Sequence, residues 1–253
     1  MAFDPPIVSA SVTSASIAQV PAHLALADPD YDWIHFDVCD VSFARHMTSG
    51  PPIVEWARTF TSCHFDVHLM VSRPDRLVDA MARAGANTFT FHPQTVDKPN
   101  ELVRRIRAAG MRPGVALDPD TPFEDVRRLM GVVDQVTVMT ASMDHEGQGF
   151  RAELLERVRL ACEERDRKGL DLLVAADGLL ALDNLTAVKA AGADVFVVGS
   201  GIFATEDPSR AFATVRAALR DLSPGETEDG VTRQASAPAP KPITFLKRRA
   251  TGR

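Results

Sequence analysis

The chain has 253 residues, 45% hydrophobic and 25% charged, with a formal net charge of −6. This is enough for one sizeable core, in one large domain or two small ones, and nothing in the charge balance points to nucleic acid. Three irregularly spaced cysteines make neither a disulfide framework nor a zinc knuckle, no run approaches the roughly 18 apolar residues of a membrane helix, and the opening MAFDPPIVSA lacks a basic signal region, so a reduced cytoplasmic setting and no membrane partner are expected.

Short apolar runs then alternate with amphipathic stretches. The pairs, strand then helix, are Ile7–Val12 and Ile17–Ala27, Trp33–Val38 and Pro52–Phe60, His64–Met70 and Arg73–Ala84, and Asn87–His92 and Pro99–Ala109. They continue with Arg112–Asp118 and Phe123–Met130, Gln135–Thr140 and Ala152–Lys168, Leu172–Asp177 and Leu182–Ala191, and Asp194–Val198 and Ser209–Leu222. Helix ends carry Gly85, Gly110 and Gly192 after alanine, where glycine takes the left-handed cap, and Pro52, Pro74 and Pro122 mark helix starts. Eight such units predict an α/β fold with a parallel sheet and match the count of a (β/α)8 barrel of about 250 residues. An open doubly wound sheet is the rival, but Val8–Ser14 lacks the glycine-rich turn that usually follows its first strand.

Three of these strands contain titratable groups that are costly to bury. By the period of two, His35 and Asp37 oppose Ile34, Phe36 and Val38, while Asp66 and His68 oppose Phe65, Val67 and Leu69. Asp177 likewise opposes Val174 and Ala176. With the apolar set facing the helices, His35, Asp37, His68 and Asp177 converge in the lumen near the C-terminal strand ends. Two imidazoles and two carboxylates suit one divalent cation, which also balances the buried charge; Zn²⁺ is the first assignment, and Fe²⁺, Mn²⁺ and Co²⁺ are compatible. Asp66 lies a layer deeper and is expected to orient a ligand. His92 shares the lumen-facing parity, either to contact substrate or to pack.

The blocks Trp33–Asp40 (WIHFDVCD), Phe65–Met70 (FDVHLM), Arg83–Ala86, Val138-Met139, Asp177-Gly178 and Ala191–Phe203, in this order, resemble the ribulose-phosphate 3-epimerase family over about residues 6–220. The resemblance implies a (β/α)8 TIM barrel of the ribulose-phosphate-binding type. It implies a metal held by His35, Asp37, His68 and Asp177, with Asp37 and Asp177 as the acid/base pair. The implied isomerase inverts carbon 3 of a ketose phosphate through an ene-diolate, by default D-ribulose 5-phosphate to D-xylulose 5-phosphate. Such an inversion requires two carboxyl groups on opposite faces of the sugar and stabilisation of the negative charge, for which a metal serves as Lewis acid. Substrate contacts implied are Ser11, His68, Met70, Met139, Gly147, Gln148, Gly178, Gly199 and Ser200. Core packing is equally compatible for the two methionines. A homo-oligomer is also implied.

The phosphate loops depart from the family's pattern. Where the family has Asn-Pro-Gly-Phe-Gly-Gly-Gln, this chain has Ser142–Gln148 (SMDHEGQ), and Leu179 replaces a glycine. The loss of glycine restricts the angles that let N–H groups converge, and Asp144 and Glu146 repel a phosphate. His145 either offsets that charge or is a solvated loop residue. Two alternatives follow: an epimerase or isomerase of a different or non-phosphorylated sugar, or a non-catalytic sugar-binding barrel. Residues 1–222 read as the barrel domain. Residues 223–253, poor in apolar side chains, read as a mostly disordered tail in which Lys247–Arg249 are either solvated or touch an acidic partner.

Overall fold

The structure, a computed structural model, describes residues 4–44, 46–142 and 149–221. The expected tail, and the loop residues Asp144, His145, Glu146, Gly147 and Gln148, lie outside the described residues. The strands are β1 (Ile7–Ser11), β2 (Trp33–Cys39), β3 (His64–Met70), β4 (Thr88–Phe91), β5 (Arg112–Leu117), β6 (Gln135–Met139), β7 (Leu173–Asp177) and β8 (Val195–Val198). They pair in sequence order, all parallel, and β8 pairs back to β1, closing the barrel.

The helices outside are α1 (Val20–Asp30), α2 (Pro51–Arg58), α3 (Val78–Arg83), α4 (Pro99–Ala108), α5 (Phe123–Arg127), α6 (Leu155–Lys168), α7 (Leu185–Ala190), α8 (Ser200–Phe203) and α9 (Pro208–Asp221). None among the described residues is long and apolar enough to cross a membrane. Gly85, Gly110 and Gly192 all take positive φ, as the Ala-Gly pattern requires.

Several helix boundaries differ from the pattern-based reading. The first helix begins at Val20, not Ile17. This places Pro21, which has no N–H to donate, in the first turn, where that donor is not needed. The stretch expected as one helix over Arg73–Ala84 is a 3₁₀ turn at Pro74–Arg76 followed by α3. The seventh helix starts at Leu185 instead of Leu182. Asn184 delays it by accepting the Ala181 N–H at 3.0 Å and donating to the Leu179 carbonyl at 3.1 Å, a local turn that competes with helix.

The main core lies between barrel and helices. Ile34, Phe36, Val38, Phe65, Val67, Leu69, Val174 and Ala176 all belong to it, as the strand parity requires. Phe36, Phe65, Phe89, Phe91 and Phe196 are fully buried, and each contributes about 2 kcal/mol through the area it removes from water. Within the lumen, Ile7, Trp33, Ala175 and Val195 form a separate apolar plug at the N-terminal end. Above it sit the buried polar residues Ser9, His35, Asp66 and Gln135, and a third cluster of Cys39, Ala44, Met70 and Met139 lies at the C-terminal end. The titratable groups thus stand on a sealed floor and open toward the C-terminal rim.

Candidate metal and substrate site

Strand register decides which side chains meet. Ser11 stands beside His35, His35 beside Asp66, and Asp37 beside His68, while β7 carries Asp177 next to Met139. As a result His35, Asp37, His68 and Asp177 each offer one N or O ligand atom, and these atoms lie within 4.8 Å of one another. That spread is close to twice a metal–ligand distance of about 2.1 Å. His35 and His68 are buried, whereas Asp37 and Asp177 are 19% and 14% exposed.

The donor set suits a cation. Asp66 is wholly buried and accepts from Gln135 Nε2 at 3.2 Å and from Ser9 Oγ at 3.4 Å. Burial opposes its ionisation, but the imidazole of His35 outweighs this and lowers its pKa. Asp66 Oδ2 lies 2.9 Å from His35 Nδ1, so the carboxylate takes a hydrogen bond from that nitrogen. The other ring nitrogen, Nε2, faces Asp37 Oδ1 at 3.3 Å and Asp177 Oδ2 at 3.7 Å. Burial disfavours a charge on His35, but Asp37 and Asp66 outweigh it and raise the imidazole pKa well above its ordinary value, so without a metal the ring is a proton-bearing cation among three carboxylates, a place that a divalent ion can take. Asp66 thus sits directly behind His35, where an orienting residue would stand.

Asp37 is fixed on every side. Ser11 Oγ donates to its Oδ2 at 2.8 Å, its backbone N–H donates to Thr13 Oγ1 at 3.0 Å, and its carbonyl accepts from Thr48 Oγ1 at 2.5 Å and Ser49 Oγ at 3.1 Å. Burial opposes its charge, but the neighbouring His35 imidazole, with lesser help from His68 and Ser11, holds the carboxyl well below the usual carboxylate range. Asp177 Oδ2 lies 3.0 Å from His68 Nδ1. Thr13, Thr48 and Ser49 carried no signal in the sequence, because they sit in loops without period and act on the Asp37 backbone across the fold.

A cavity of about 350 Å³ opens above this cluster, with Ser11, Asp37, Met139, Asp177, Gly178, Gly199 and Ser200 in its wall. Met70 instead is fully buried and packs with Cys39, Ala44 and Met139. His92 points into the lumen beside His68, their Nε2 atoms 2.9 Å apart. At Leu179 the restriction expected from the loss of glycine shows as strain. Leu179 adopts the left-handed conformation (φ 55°) directly after Gly178, so the turn survives the loss of glycine at a cost of about 1–2 kcal/mol. Its side chain, half exposed, joins the cavity wall.

The sequence profile described as the ribulose-phosphate 3 epimerase family matches residues 7–203. The chain belongs to that family. It is similar to the ribulose-phosphate 3-epimerase of Mycobacterium bovis, 36% identical over 211 residues, spanning 83% of this chain and 92% of the relative. It is also similar to the cytoplasmic isoform of ribulose-phosphate 3-epimerase from Oryza sativa subsp. japonica, 38% identical over 189 residues, spanning 73% and 81%. Membership makes the chain an enzyme of the isomerase class. Among solved structures, KGPDC from Streptococcus mutans in complex with D-R5P superposes with a TM-score of 0.65 at 15% identity, spanning 85% of this chain and 97% of that one. At that identity the likeness concerns the fold.

Proposed function

We propose that the enzyme interconverts D-ribulose 5-phosphate and D-xylulose 5-phosphate by inverting carbon 3. The observation that carries this reading is the pairing of Asp37 and Asp177, from strands three places apart around the barrel, beneath one cavity and against the same two imidazoles. One carboxylate takes the carbon-3 proton from one face of the sugar, leaving its electron pair in an ene-diolate. The other carboxyl returns a proton to the opposite face, so no net charge or proton is lost. His35, Asp37, His68 and Asp177 would hold one divalent cation, with Zn²⁺ the first assignment, and when bound it supplies positive charge to the two adjacent oxygens on which negative charge develops. The sealed floor beneath Asp66 keeps water from the deeper side of the cluster.

In this reading Ser11, His68, Met139, Gly178, Gly199 and Ser200 contact substrate, together with Gly147 and Gln148, and Met70 backs them. Residues 1–222 form the catalytic domain, with 223–253 as a separate tail. The protein acts in the cytoplasm, as the rice relative's name states of that protein, and as a homo-oligomer, for which the exposed Ile17, Val41 and Met47 supply apolar surface. The Leu179 side chain in the cavity wall favours one competing reading, a ketose whose phosphate is absent or placed differently.

Heavy water separates these readings. The carbon-3 hydrogen of a true substrate exchanges for deuterium when incubated with the metal-loaded protein, and ribulose 5-phosphate is expected to exchange fastest. Exchange into free ketoses alone would select the competing reading. No exchange in any phosphorylated or free ketose tested would refute carbon-3 epimerisation.

A further inference from the structure

We propose that His92 and Asp118 are positioning residues that set the tautomer of His68, turning its Nδ1 electron pair toward Asp37 and Asp177. The inference rests on the reading of the four-residue cluster as a metal centre and extends it to residues outside that cluster.

Asp118 follows β5, and its Oδ1 accepts hydrogen bonds from Asp120 N (3.2 Å), Thr121 N (2.9 Å) and Thr121 Oγ1 (2.7 Å). Its Oδ2 accepts from Gln94 Nε2 at 2.5 Å. Four donors fix this carboxylate and favour its charged form. Oδ2 also lies 3.3 Å from His92 Nδ1, and a carboxylate surrounded by donors can only accept there, so His92 Nδ1 carries the hydrogen. Gln94 Nε2 lies 3.4 Å from the same ring nitrogen, a longer contact than its bond to Asp118.

His92 is completely buried, and its ring is nearly parallel to that of His68, 12° between planes with centroids 5.0 Å apart. Two ring nitrogens 2.9 Å apart hold one proton between them. With His92 Nδ1–H given to Asp118, a neutral His92 has its electron pair on Nε2 and accepts from His68 Nε2–H. The remaining nitrogen of His68, Nδ1, then carries no hydrogen, and it is this atom that lies 3.0 Å from Asp177 Oδ2 and 4.0 Å from Asp37 Oδ1. Behind His35 a carboxylate stands in direct contact, Asp66 Oδ2 at 2.9 Å from Nδ1. Two independent carboxylates, Asp66 buried and Asp118 partly exposed, thus stand behind the two imidazoles, the first directly and the second through an intervening histidine. An arrangement of this kind raises ligand basicity and removes the cost of choosing a ring orientation at the moment of binding.

The opposite arrangement is chemically possible, with His92 a cation donating to His68 Nε2 and His68 donating Nδ1–H to Asp177, and it would block a cation at that nitrogen. Nitrogen-15 imidazole spectra of the metal-free, unaltered protein distinguish the two. The expected result is His68 with its proton on Nε2; a proton on Nδ1 overturns the proposal without recourse to any variant. Zn²⁺ affinity, measured by competition with a chelator, supplies the second readout. His92→Phe keeps a ring but has no acceptor, and it should weaken Zn²⁺ binding by about 10–100-fold. His92→Gln, whose amide oxygen can stand near the position of Nε2, should restore affinity to within a few-fold of the unaltered chain. Equal affinity in His92→Phe and the unaltered protein overturns the positioning role while leaving the metal centre standing. An unaltered protein that takes up no Zn²⁺ overturns the metal centre itself and this inference with it.

Discussion

Gly178 sits directly after Asp177 at a backbone angle that only glycine adopts freely, φ +130°. A Cβ at this position would lie 2.6 Å from the Ala141 nitrogen, 3.0 Å from the Ala141 Cβ and 3.1 Å from the Thr140 carbonyl carbon. The two strand ends cannot part easily, because the Thr140 N–H donates to the Asp177 carbonyl at 2.7 Å and Thr140 Oγ1 donates to the Gly178 carbonyl at 2.8 Å. Gly178→Ala therefore adds backbone strain of about 1–3 kcal/mol to a steric clash of similar size, together about 2–6 kcal/mol. At roughly 2–4 °C per kcal/mol for a domain of this size, the melting temperature should fall by about 8–16 °C for a mid-range cost of ~4 kcal/mol. Gly110→Ala is the control: φ is +86°, but no atom lies within 4 Å of its added Cβ, so it bears the backbone part alone, about 1–2 kcal/mol. Urea denaturation of both variants isolates the clash. Where Gly178→Ala still folds, a shift of ~1 Å at Asp177 should also lower turnover on the order of 10²-fold. Equal unfolding free energies for the two variants would show that the close approach of β6 and β7 is not as described.

Four further outcomes follow. Asp37→Asn and Asp177→Asn each remove a proton acceptor while preserving shape, and each should reduce deuterium exchange at carbon 3 on the order of 10²–10⁴-fold; full activity in either rules out the two-carboxylate scheme. Asp66→Ala strands the His35 Nδ1–H in the lumen and leaves the Gln135 amide only its bond to Thr137, and it should cost about 3–5 kcal/mol in denaturant unfolding, with Zn²⁺ bound more weakly; unchanged values for both would deny Asp66 its orienting role. His64, stacked on Trp33 with ring centroids 4.1 Å apart, has its pKa lowered to about 4, chiefly by burial, from an ordinary 6.5. Because the unfolded chain takes up this proton first, stability should fall as pH drops from about 6.5 to 4, by at most about 3 kcal/mol, and His64→Phe should flatten that part of the curve; an identical pH dependence in both proteins contradicts the assignment. Cys39 and Cys162 are buried, and burial raises each thiol to about 11, so both should resist alkylation at pH 7 until the protein is unfolded, and labelling of the native protein at the unfolded rate would refute their burial.

The alternation of strand and helix, the closed barrel and the inward parity of His35, Asp37, His68 and Asp177 were legible in the sequence because they depend on local periods. A residue two places along a strand faces the same way whatever the rest of the chain does. His64–Met70 was legible to the residue, because its alternation is uninterrupted. Boundaries near Pro21, Pro74 and Asn184 were less so, since a missing donor or a side-chain turn shifts a helix start without disturbing the apolar pattern.

What only the tertiary structure decided is non-local. The ties from Thr13, Thr48 and Ser49 to the Asp37 backbone depend on where loops return, and no spacing encodes that path. The chain from Asp118 through His92 to His68 links three neighbouring strands, and it exists only because the register of β3, β4 and β5 staggers these residues by two positions from each strand to the next. Leu179 shows the same limit from the other side: its sequence disfavours a left-handed turn, and the packing of the rim imposes one, because the contacts around it outweigh a strain of about 1–2 kcal/mol. Composition and period determine which face of each strand is polar; adjacency in space determines which polar atoms meet, and therefore what chemistry they can perform.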